Sequence, residues 1–343
     1  MATNQQTAPA AQPRRELPGT PEPYSLADGE GRSHLLLGQV GRALAGEEET
    51  ANAMSVMTAL GPAGTPIPLH FHEREHDFFY CVRGRIQVWA GDQSRILLPG
   101  DIASVPAGIK HAYQFHEHYS QFMGPIVPAG WDRFFDFCGT PYAGPAYPKV
   151  DPSPPPVEKF GAAQERFSMT YVFDEPYAEL STGPDNALPG ASEAYFLRAG
   201  EGPKHELFGQ VCFQIMRGAE TGDAVSMTVT EGAAPAAMPS HVHHTTYEAI
   251  YCLDGRLRVT AAGRDHLLTR GDFMSIPVGT EHSYTLEGYF TRFATMYAPA
   301  GIERFFELVG ELTEQAIFAE QPAAADSDRL AAGAAELDIE LVA

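Results

Sequence analysis

The most constraining feature of the sequence is an internal repeat at a constant offset. The stretch GEGRSHLLLGQV, which begins at Gly29, returns as GEGPKHELFGQV from Gly200, 171 positions later. The stretch PAGWDRFFDFCG at residues 128–139 returns as PAGIERFFELVG at residues 299–310 with the same offset. No insertion or deletion therefore separates the two copies over more than a hundred positions. A unit that repeats in this way predicts two structurally equivalent domains.

The repeat and the chain length define the predicted domain boundaries. A chain of 343 residues exceeds the size at which one hydrophobic core stops growing. We expect a disordered tail over 1–23, an N-terminal domain over 24–146, a linker over 147–192, a C-terminal domain over 193–311 and a helix or tail over 312–343. Dense prolines over 147–158 exclude helix and central strand, so the linker is predicted to be extended and to wrap one domain.

Charge and composition exclude several classes of function. The net charge of −21 would repel a phosphate backbone, so we expect no nucleic-acid partner. No run of about 18 apolar residues exists, so no membrane span is expected. The cysteines form no C-x-x-C pair, and no secretory signal is visible at the N-terminus. They are predicted to be buried free thiols in a reducing cytoplasm.

Each copy has the pattern of strands and turns. Residues 77–89 are rich in aromatic and β-branched residues and are broken by Arg83-Gly84, and residues 248–260 are broken by Asp254-Gly255. These breaks predict hairpin turns. Many short strands with regular turns predict an all-β fold, a sandwich or barrel, in each half. Only residues 131–138 and 302–309 have the pattern of short helices, with aromatic faces expected to pack on the barrels.

The second copy contains a set of residues suited to a metal. His241 and His243 alternate on a strand, so both imidazoles point to one side. Glu248 begins the next strand, and His282 follows a series of turns that can bring it back over the barrel. Three histidines and one carboxylate suit a divalent transition metal: Fe, Mn, Ni, Co, Cu or Zn.

The first copy repeats this set with one change. Its candidate ligands, each 171 positions earlier, are His70, His72, Asp77 and His111. Aspartate is shorter than glutamate by one methylene, so its oxygen reaches about 1.2–1.5 Å less far. The neighbours at positions 73, 75 and 76 offer two more carboxylates and an imidazole. The first site is therefore predicted to be intact with changed geometry, weakened or empty, with one or two metals per chain.

These spacings resemble the cupin family. The family pattern joins the two histidines and the acid to three glycines, a proline and a third histidine. Beside the ligands named above, it is carried by Gly84, Gly100, Pro106 and Gly108 in the first copy, and by Gly255, Gly271, Pro277 and Gly279 in the second. The resemblance implies two tandem jelly-roll (double-stranded β-helix) barrels with short flanking helices. Asp77 departs from the family, which has glutamate at that position.

Two stretches of the first copy, HFHEREHDFFYCVRGRIQVWA and VPAGIKHAYQF, look like those of quercetin 2,3-dioxygenases. That resemblance implies a small aromatic substrate, a flavonol held through its deprotonated 3-hydroxyl group, and O2 as the co-substrate, with loss of carbon monoxide. It implies that the motif carboxylates, Glu248 and Asp77, are the catalytic bases. It also favours a homodimer. In fungal members the N-terminal domain carries the metal, whereas here the pattern is better kept in the C-terminal one.

Two other functions stay open on the sequence alone. One is a cupin enzyme that needs no O2, such as a decarboxylase, isomerase or cyclase of secondary metabolism. The other is a ligand-binding or storage bicupin without catalysis, against which the complete ligand set argues. Aromatic residues accompany both motifs, and core packing is the favoured interpretation for them. They are Phe78, Phe79, Tyr113, Phe115 and Phe122 in the first copy, and Tyr251, Phe273, Tyr284 and Phe293 in the second.

Overall fold

A computed structural model describes residues 16–144, 146–149, 156–319 and 327–342. The predicted tail over 1–23 falls largely outside these ranges. The elements of the first half, in chain order, are β1 (Tyr24–Leu26), β2 (Arg32–Leu36), β3 (Gln39–Ala45), β4 (Ser55–Gly61), β5 (His70–His72), β6 (His76–Arg83), β7 (Ile86–Ala90), β8 (Gln93–Leu97), β9 (Ile102–Val105), β10 (His111–Phe115), β11 (Ser120–Val127), α1 (Asp132–Cys138), β12 (Thr140–Pro141), α2 (Val157–Arg166) and β13 (Met169–Tyr171).

The second half follows the same order of strands. Its elements are β14 (Tyr195–Leu197), β15 (Lys204–Leu207), β16 (Gln210–Met216), α3 (Gly218–Thr221), β17 (Ser226–Gly232), β18 (Ala237–Val242), β19 (Tyr247–Ala261), β20 (Arg264–Thr269), β21 (Phe273–Ile276), β22 (His282–Ala298), α4 (Arg304–Val309), β23 (Glu311–Leu312), α5 (Ser327–Glu336) and β24 (Glu340–Leu341).

The strands form two antiparallel barrels. In the first, a sheet of order β12-β2-β3-β4-β11-β6-β9-β14 and a sheet of order β13-β5-β10-β7-β8 enclose the interior. In the second, β19 and β22 are long enough to run through both layers, so the strands are joined in a single sheet. The all-β prediction, with two tandem jelly-roll barrels and few short helices, is confirmed.

The predicted hairpins at the two glycine breaks are wrong. Strand β6 pairs with β9 and β11, whereas β7 pairs with β8 and β10, so the chain crosses between sheets at Gly84. This glycine has φ +77°, and a Cβ there would lie 2.5 Å from Ser120 Oγ. Gly255 has φ +79°, and a Cβ there would lie 2.2 Å from the Phe290 carbonyl oxygen. Glycine is needed because of the left-handed backbone and the close approach of a neighbouring strand.

Each barrel takes one strand from the other half of the chain. Strand β1 pairs with β21 of the second barrel, and β14 pairs with β9 of the first. The exchange follows the repeat, since Tyr24 and Tyr195 occupy equivalent positions. The Tyr24 hydroxyl donates to the Leu44 carbonyl at 2.6 Å, and the Tyr195 hydroxyl donates to the Ile215 carbonyl at 2.8 Å. The two barrels are thereby interlocked through a common buried cluster.

The repeat continues into segments that the sequence analysis assigned to the linker and the tail. Helix α2 and strand β13 occupy the predicted linker, and β13 pairs with β5 of the first barrel. Their counterparts α5 and β24 lie about 170 positions later, and β24 pairs with β18. Helix α2 begins at Val157, inside the stretch predicted to be extended. The predicted linker therefore contains a helix that packs on the first barrel. Residues 150–155 lie outside the described part of the chain.

The remaining structural predictions agree with the fold. The two predicted helices are present as α1 and α4, and their aromatic residues Phe134 and Phe305 are buried. All four cysteines are buried free thiols, as predicted: Cys81, Cys138, Cys212 and Cys252. Among the helices in the described part of the chain, none is long and apolar enough to cross a membrane.

Candidate metal centres

The second barrel brings its four predicted ligands together. His241 of β18 lies directly opposite His282 of β22, and Glu248 enters from the start of β19. With His243, these residues offer ligand atoms that all lie within 4.8 Å of one another. All four side chains are buried. Three strands and the short loop after β18 therefore converge on one point inside the barrel.

The first barrel repeats the arrangement of the three histidines, but its carboxylate does not approach all of them. His70 and His111 face each other across β5 and β10, and His72 completes a group whose ligand atoms lie within 4.8 Å of one another. The group does not include Asp77. One oxygen of Asp77, Oδ2, nevertheless lies 3.1 Å from His111 Nε2 and 3.4 Å from His72 Nε2. The shorter side chain thus reaches two of the histidines but does not close the group.

The histidine tautomers are fixed by backbone carbonyls. In the first centre, Nδ1 of His70 lies 2.9 Å from the Pro68 carbonyl oxygen, and Nδ1 of His111 lies 2.9 Å from that of Ile109. A carbonyl only accepts, so Nδ1 carries the proton and donates it. Equivalent bonds in the second centre join His241 to Pro239, His282 to Thr280 and His243 to Asp338. The Nε2 lone pairs of these rings are left to point into the centres.

This tautomer makes each centre a cation site. In the second, Nε2 of His282 and Nε2 of His243 lie 2.9 Å and 3.2 Å from Glu248 Oε2. With Nδ1 protonated, Nε2 and the carboxylate oxygen are both acceptors, and a positive charge, either a metal ion or a second proton on the ring, offsets their repulsion at these distances. Among the described residues, His243 Nε2, His72 Nε2 and Asp77 Oδ1 are buried without a hydrogen-bond partner. The donor set fits a divalent metal, with the histidines and carboxylates as its ligands.

The pKa shifts of the two carboxylates, His70 and His241 agree with this interpretation. Burial, and then the charge of His282, lower the pKa of His241 to about 3. Burial also lowers the pKa of His70 well below its usual value. Burial alone would raise the pKa of Glu248, but His282 and His243 outweigh it and hold that pKa far below the usual range. His72 and His111 lower the pKa of Asp77 in the same way. Deprotonated carboxylates and neutral imidazoles are the forms that bind metals. Burial alone would lower the pKa of His282, but the charge and hydrogen bond of Glu248 raise it above the usual value, so a bound metal would have to displace a proton there.

A cavity of about 110 Å³ adjoins the first centre. Three residues of that centre, His70, Asp77 and His111, form part of its wall. The rest is mainly apolar and aromatic, and no lysine or arginine is found among the described residues that line it. The other polar residues that line it are Gln39, Thr58, Tyr113 and Tyr171, and the Tyr113 hydroxyl donates to Gln39 Oε1 at 2.7 Å. The site can therefore hold a flat apolar molecule against the histidines.

The aromatic residues near the first motif divide between core and cavity. Phe79, Tyr113 and Phe122 contact one another, with ring centroids 4.8–6.0 Å apart, and all three also face the cavity. Phe115 is buried in the core, in agreement with the favoured interpretation. Around the second motif, Tyr284 is among the buried core residues. The other three aromatics predicted there, Tyr251, Phe273 and Phe293, are buried core residues as well.

The sequence analysis missed several residues of the cavity wall. Phe160 of α2 and Tyr171 of β13 line the cavity, although both lie in the predicted linker. Trp131 also lines it and packs edge-on against His72, with ring centroids 4.0 Å apart. Extending the repeat beyond residue 146 with an offset of 170 in place of 171 would have revealed the linker residues as part of the first barrel.

The acidic and histidine neighbours of Asp77 do not join the first centre. His76 Nε2 lies 2.7 Å from Ser104 Oγ, on the other side of β6. Glu75 is buried and its pKa is raised by burial, but its oxygens are not in the ligand group. Glu73 is exposed. Of these side chains, only Asp77 has an oxygen within 4 Å of a histidine of the first centre.

The two halves of the chain match the cupin domain family over residues 56–118 and 227–289. Together with the two jelly-roll barrels, these matches show that the chain contains two cupin domains.

Its relatives include quercetin 2,3-dioxygenases. The chain is 27% identical over 333 residues to that of Bacillus subtilis, covering 95% of this chain and 97% of the relative. It is 28% identical over 258 residues to that of Aspergillus japonicus, covering 65% and 73%. An oxalate decarboxylase structure from Bacillus subtilis matches with TM-score 0.51 and 18% identity over 80% of this chain and 76% of that one, a likeness of fold. The predicted relationship to quercetinase bicupins is confirmed.

Proposed function

We propose that this bicupin is a metal-dependent dioxygenase that cleaves the ring of a flavonol or a related enolic aromatic with O2, and that the reaction takes place in the first barrel. The observation that carries the proposal is the aromatic-lined cavity that opens onto His70, Asp77 and His111. The similarity to quercetin 2,3-dioxygenases over nearly the whole chain supports the same reaction class. The sequence pattern alone favoured the second barrel, because its motif is better kept.

The chemistry of the cavity favours an aromatic over a small acid. A dicarboxylate held at the metal by one end would still bury its second carboxylate, which needs a cationic side chain to offset its desolvation. The described lining offers none, whereas Met57, Phe79 and Ile126 offer flat apolar contacts. A non-oxidative enzyme for a small acid, such as a decarboxylase, is therefore less well supported. The alternative is a ligand-binding bicupin without catalysis. Only a measurement of turnover distinguishes it from the proposed dioxygenase.

The residues of the first centre have distinct roles in this proposal. His70, His72 and His111 would hold the metal, which supplies Lewis-acid and redox chemistry when bound. Asp77 is the candidate base for the acidic 3-hydroxyl proton, and its free atom is Oδ1, buried without a hydrogen-bond partner among the described residues. Trp131 fixes the His72 ring by edge contact and, with the other apolar walls, keeps water from the reacting ring.

Gas exchange tests the proposed function. Metal-loaded protein is mixed with a flavonol such as quercetin, and O2 uptake and carbon monoxide release are measured for wild type, His70→Ala and His241→Ala, with metal content determined for each. We expect one O2 consumed and one carbon monoxide released per flavonol, with loss of both in His70→Ala. Metal-loaded wild type that binds flavonol without consuming O2 would refute the dioxygenase. The homodimer that the family resemblance favours and the cytoplasmic location that the free cysteines favour are tested separately, by light scattering and by fractionation.

A further inference from the structure

The two barrels differ at the positions that surround their centres. Ile126, which lines the cavity of the first barrel, corresponds to Tyr297 in the second. Gly41, also on the cavity wall, corresponds to Cys212. A Cβ at Gly41 would lie 2.3 Å from the Phe135 ring, so this glycine leaves room for that ring. Both changes place a larger side chain in the interior of the second barrel.

Side-chain burial also differs between the two interiors. Five cavity-lining side chains of the first barrel are only partly buried: Leu36, Ile67, Tyr113, Phe122 and Phe135. Their counterparts in the second barrel are between 1% and 8% exposed: Leu207, Met238, Tyr284, Phe293 and Phe306. The same framework is therefore open on one side of the repeat and packed on the other.

Tyr297 lies at the second centre itself. Its ring stands edge-on to His243, with centroids 6.2 Å apart and planes at 80°. The residue is 6% exposed and belongs to the same buried cluster as Cys212 and Tyr284. Burial, followed by the charge of Glu248, raises the pKa of its hydroxyl well above the usual value, in agreement with a phenol enclosed beside that carboxylate.

The C-terminal segment forms hydrogen bonds to one ligand of the second centre and to the loop that follows it. The Asp338 carbonyl accepts from His243 Nδ1 at 2.8 Å. The Asp338 carboxylate accepts from the backbone amides of His244, Thr245 and Thr246 at 2.7–2.9 Å. In the first barrel, His72 Nδ1 has no hydrogen-bond partner among the described residues. The second set of ligands is thus held more rigidly than the first.

We propose that the second centre is a closed metal site that admits no organic ligand, and that Tyr297 is the side chain that fills the space which the first barrel leaves open for its aromatic ligand. The inference rests on the proposed function only in its choice of probe. It assigns the two metals of one chain to different tasks: ligand binding in the first barrel, and stabilisation of the second.

Binding stoichiometry without O2 tests the division. Quercetin is titrated anaerobically into protein carrying two metals per chain, and binding is followed by its visible absorbance and by calorimetry. We expect one quercetin per chain in wild type. Ile126→Tyr, which transfers the closing side chain to the first barrel, is expected to weaken this binding about tenfold to a hundredfold, because an overfilled site resists occupation. Tyr297→Ile combined with Cys212→Gly is expected to add a second equivalent, and Tyr297→Phe is not.

The outcomes separate the two proposals. Two equivalents in wild type would overturn the closed second centre and leave the dioxygenase standing. One equivalent that survives Ile126→Tyr but is lost in His241→Ala would overturn it as well, because the ligand would then occupy the second barrel. No binding in wild type with two metals present would refute the proposed function, and with it the assignment of the ligand to the first barrel. Metal content and a cooperative melt show that each variant is folded.

Discussion

The single change between the two ligand sets, Asp77 for Glu248, makes a reciprocal exchange informative. Asp77 Oδ2 lies within 0.2 Å of the distances that Glu248 Oε2 keeps to the equivalent histidines: 3.1 and 3.4 Å against 2.9 and 3.2 Å. Yet only Glu248 closes a four-ligand group within 4.8 Å. Asp77→Glu lengthens the side chain by about 1.2–1.5 Å, enough to bring the carboxylate to the third histidine. The charge of the side chain is unchanged, so any change in metal affinity reflects how far the carboxylate extends towards the metal.

We expect Asp77→Glu to tighten metal binding at the first centre by at least about tenfold, equivalent to about 1.4 kcal/mol, and Glu248→Asp to weaken the second by a similar factor. Competition with a chelator of known affinity measures both, each in a background in which the other centre is removed by His241→Ala or His70→Ala. Unchanged metal affinity in both exchanges would show that the carboxylates are not ligands, and the centres would then be histidine sites with a neighbouring acid.

Three further predictions concern the structure around the centres. Tyr24→Phe and Tyr195→Phe each remove a buried hydroxyl that bonds a carbonyl at 2.6 or 2.8 Å, and each is expected to cost about 1–3 kcal/mol of unfolding free energy in urea titrations. Tyr289→Phe, at a residue 99% exposed, is the matched control and should change stability little. Burial alone would raise the pKa of Asp338, but its bonds from Thr245, His244 and Thr246 hold it below the usual value. Its contribution is therefore full above the unfolded pKa of about 3.9 and is lost as the pH falls through the lower folded value. The free energy of unfolding should therefore fall less steeply between about pH 5 and pH 2 in Asp338→Asn than in wild type. The same pH dependence in both proteins would contradict the role of Asp338. Gly255→Ala forces a Cβ to within 2.2 Å of a backbone oxygen at φ +79° and should destabilise the second barrel by more than about 1 kcal/mol, measured by thermal melting.

The sequence predicted the fold and the ligand sets because both depend on local spacing. Strand alternation places His241 and His243 on one side. The constant offset of 171 then transfers the second set to the first half, where the structure brings His70, His72 and His111 together. No long-range information was needed for either step, since each ligand lies in or directly next to a strand that its own half of the chain supplies.

The cavity and the strand exchange could not be predicted in the same way. Whether a barrel interior is open depends on how side chains from several strands fill it, and a difference such as Ile126 against Tyr297 has no signature in a spacing pattern. The predicted hairpins failed because a glycine with positive φ serves equally in a tight turn and in a crossing between sheets, as at Gly84. The partner of β1 was equally hidden, because its pairing lies about 250 residues along the chain.

Because the barrels exchange strands, neither half should be stable alone. Fragment 24–192 would lose β14 from the edge of its larger sheet, and it would expose the side of β1 that pairs with β21. It would also expose its share of a buried cluster drawn from both halves, in which Phe78 and Met123 meet residues such as Phe213 and Met296. Apolar area of this kind contributes roughly 25 cal/mol per Å² removed from water, so its exposure opposes folding strongly.

We therefore expect fragment 24–192 to aggregate or to unfold without a cooperative transition, and its first centre to lose metal, although it contains His70, His72, Asp77 and His111. Mixing it with fragment 193–342 should restore both the melt and the metal, since the two chains together supply every strand of both barrels. Circular dichroism and metal content of each fragment, alone and mixed, provide the measurement. A fragment that melts cooperatively and holds its metal on its own would refute the argument. The exchanged strands would then be peripheral additions to two domains that fold independently.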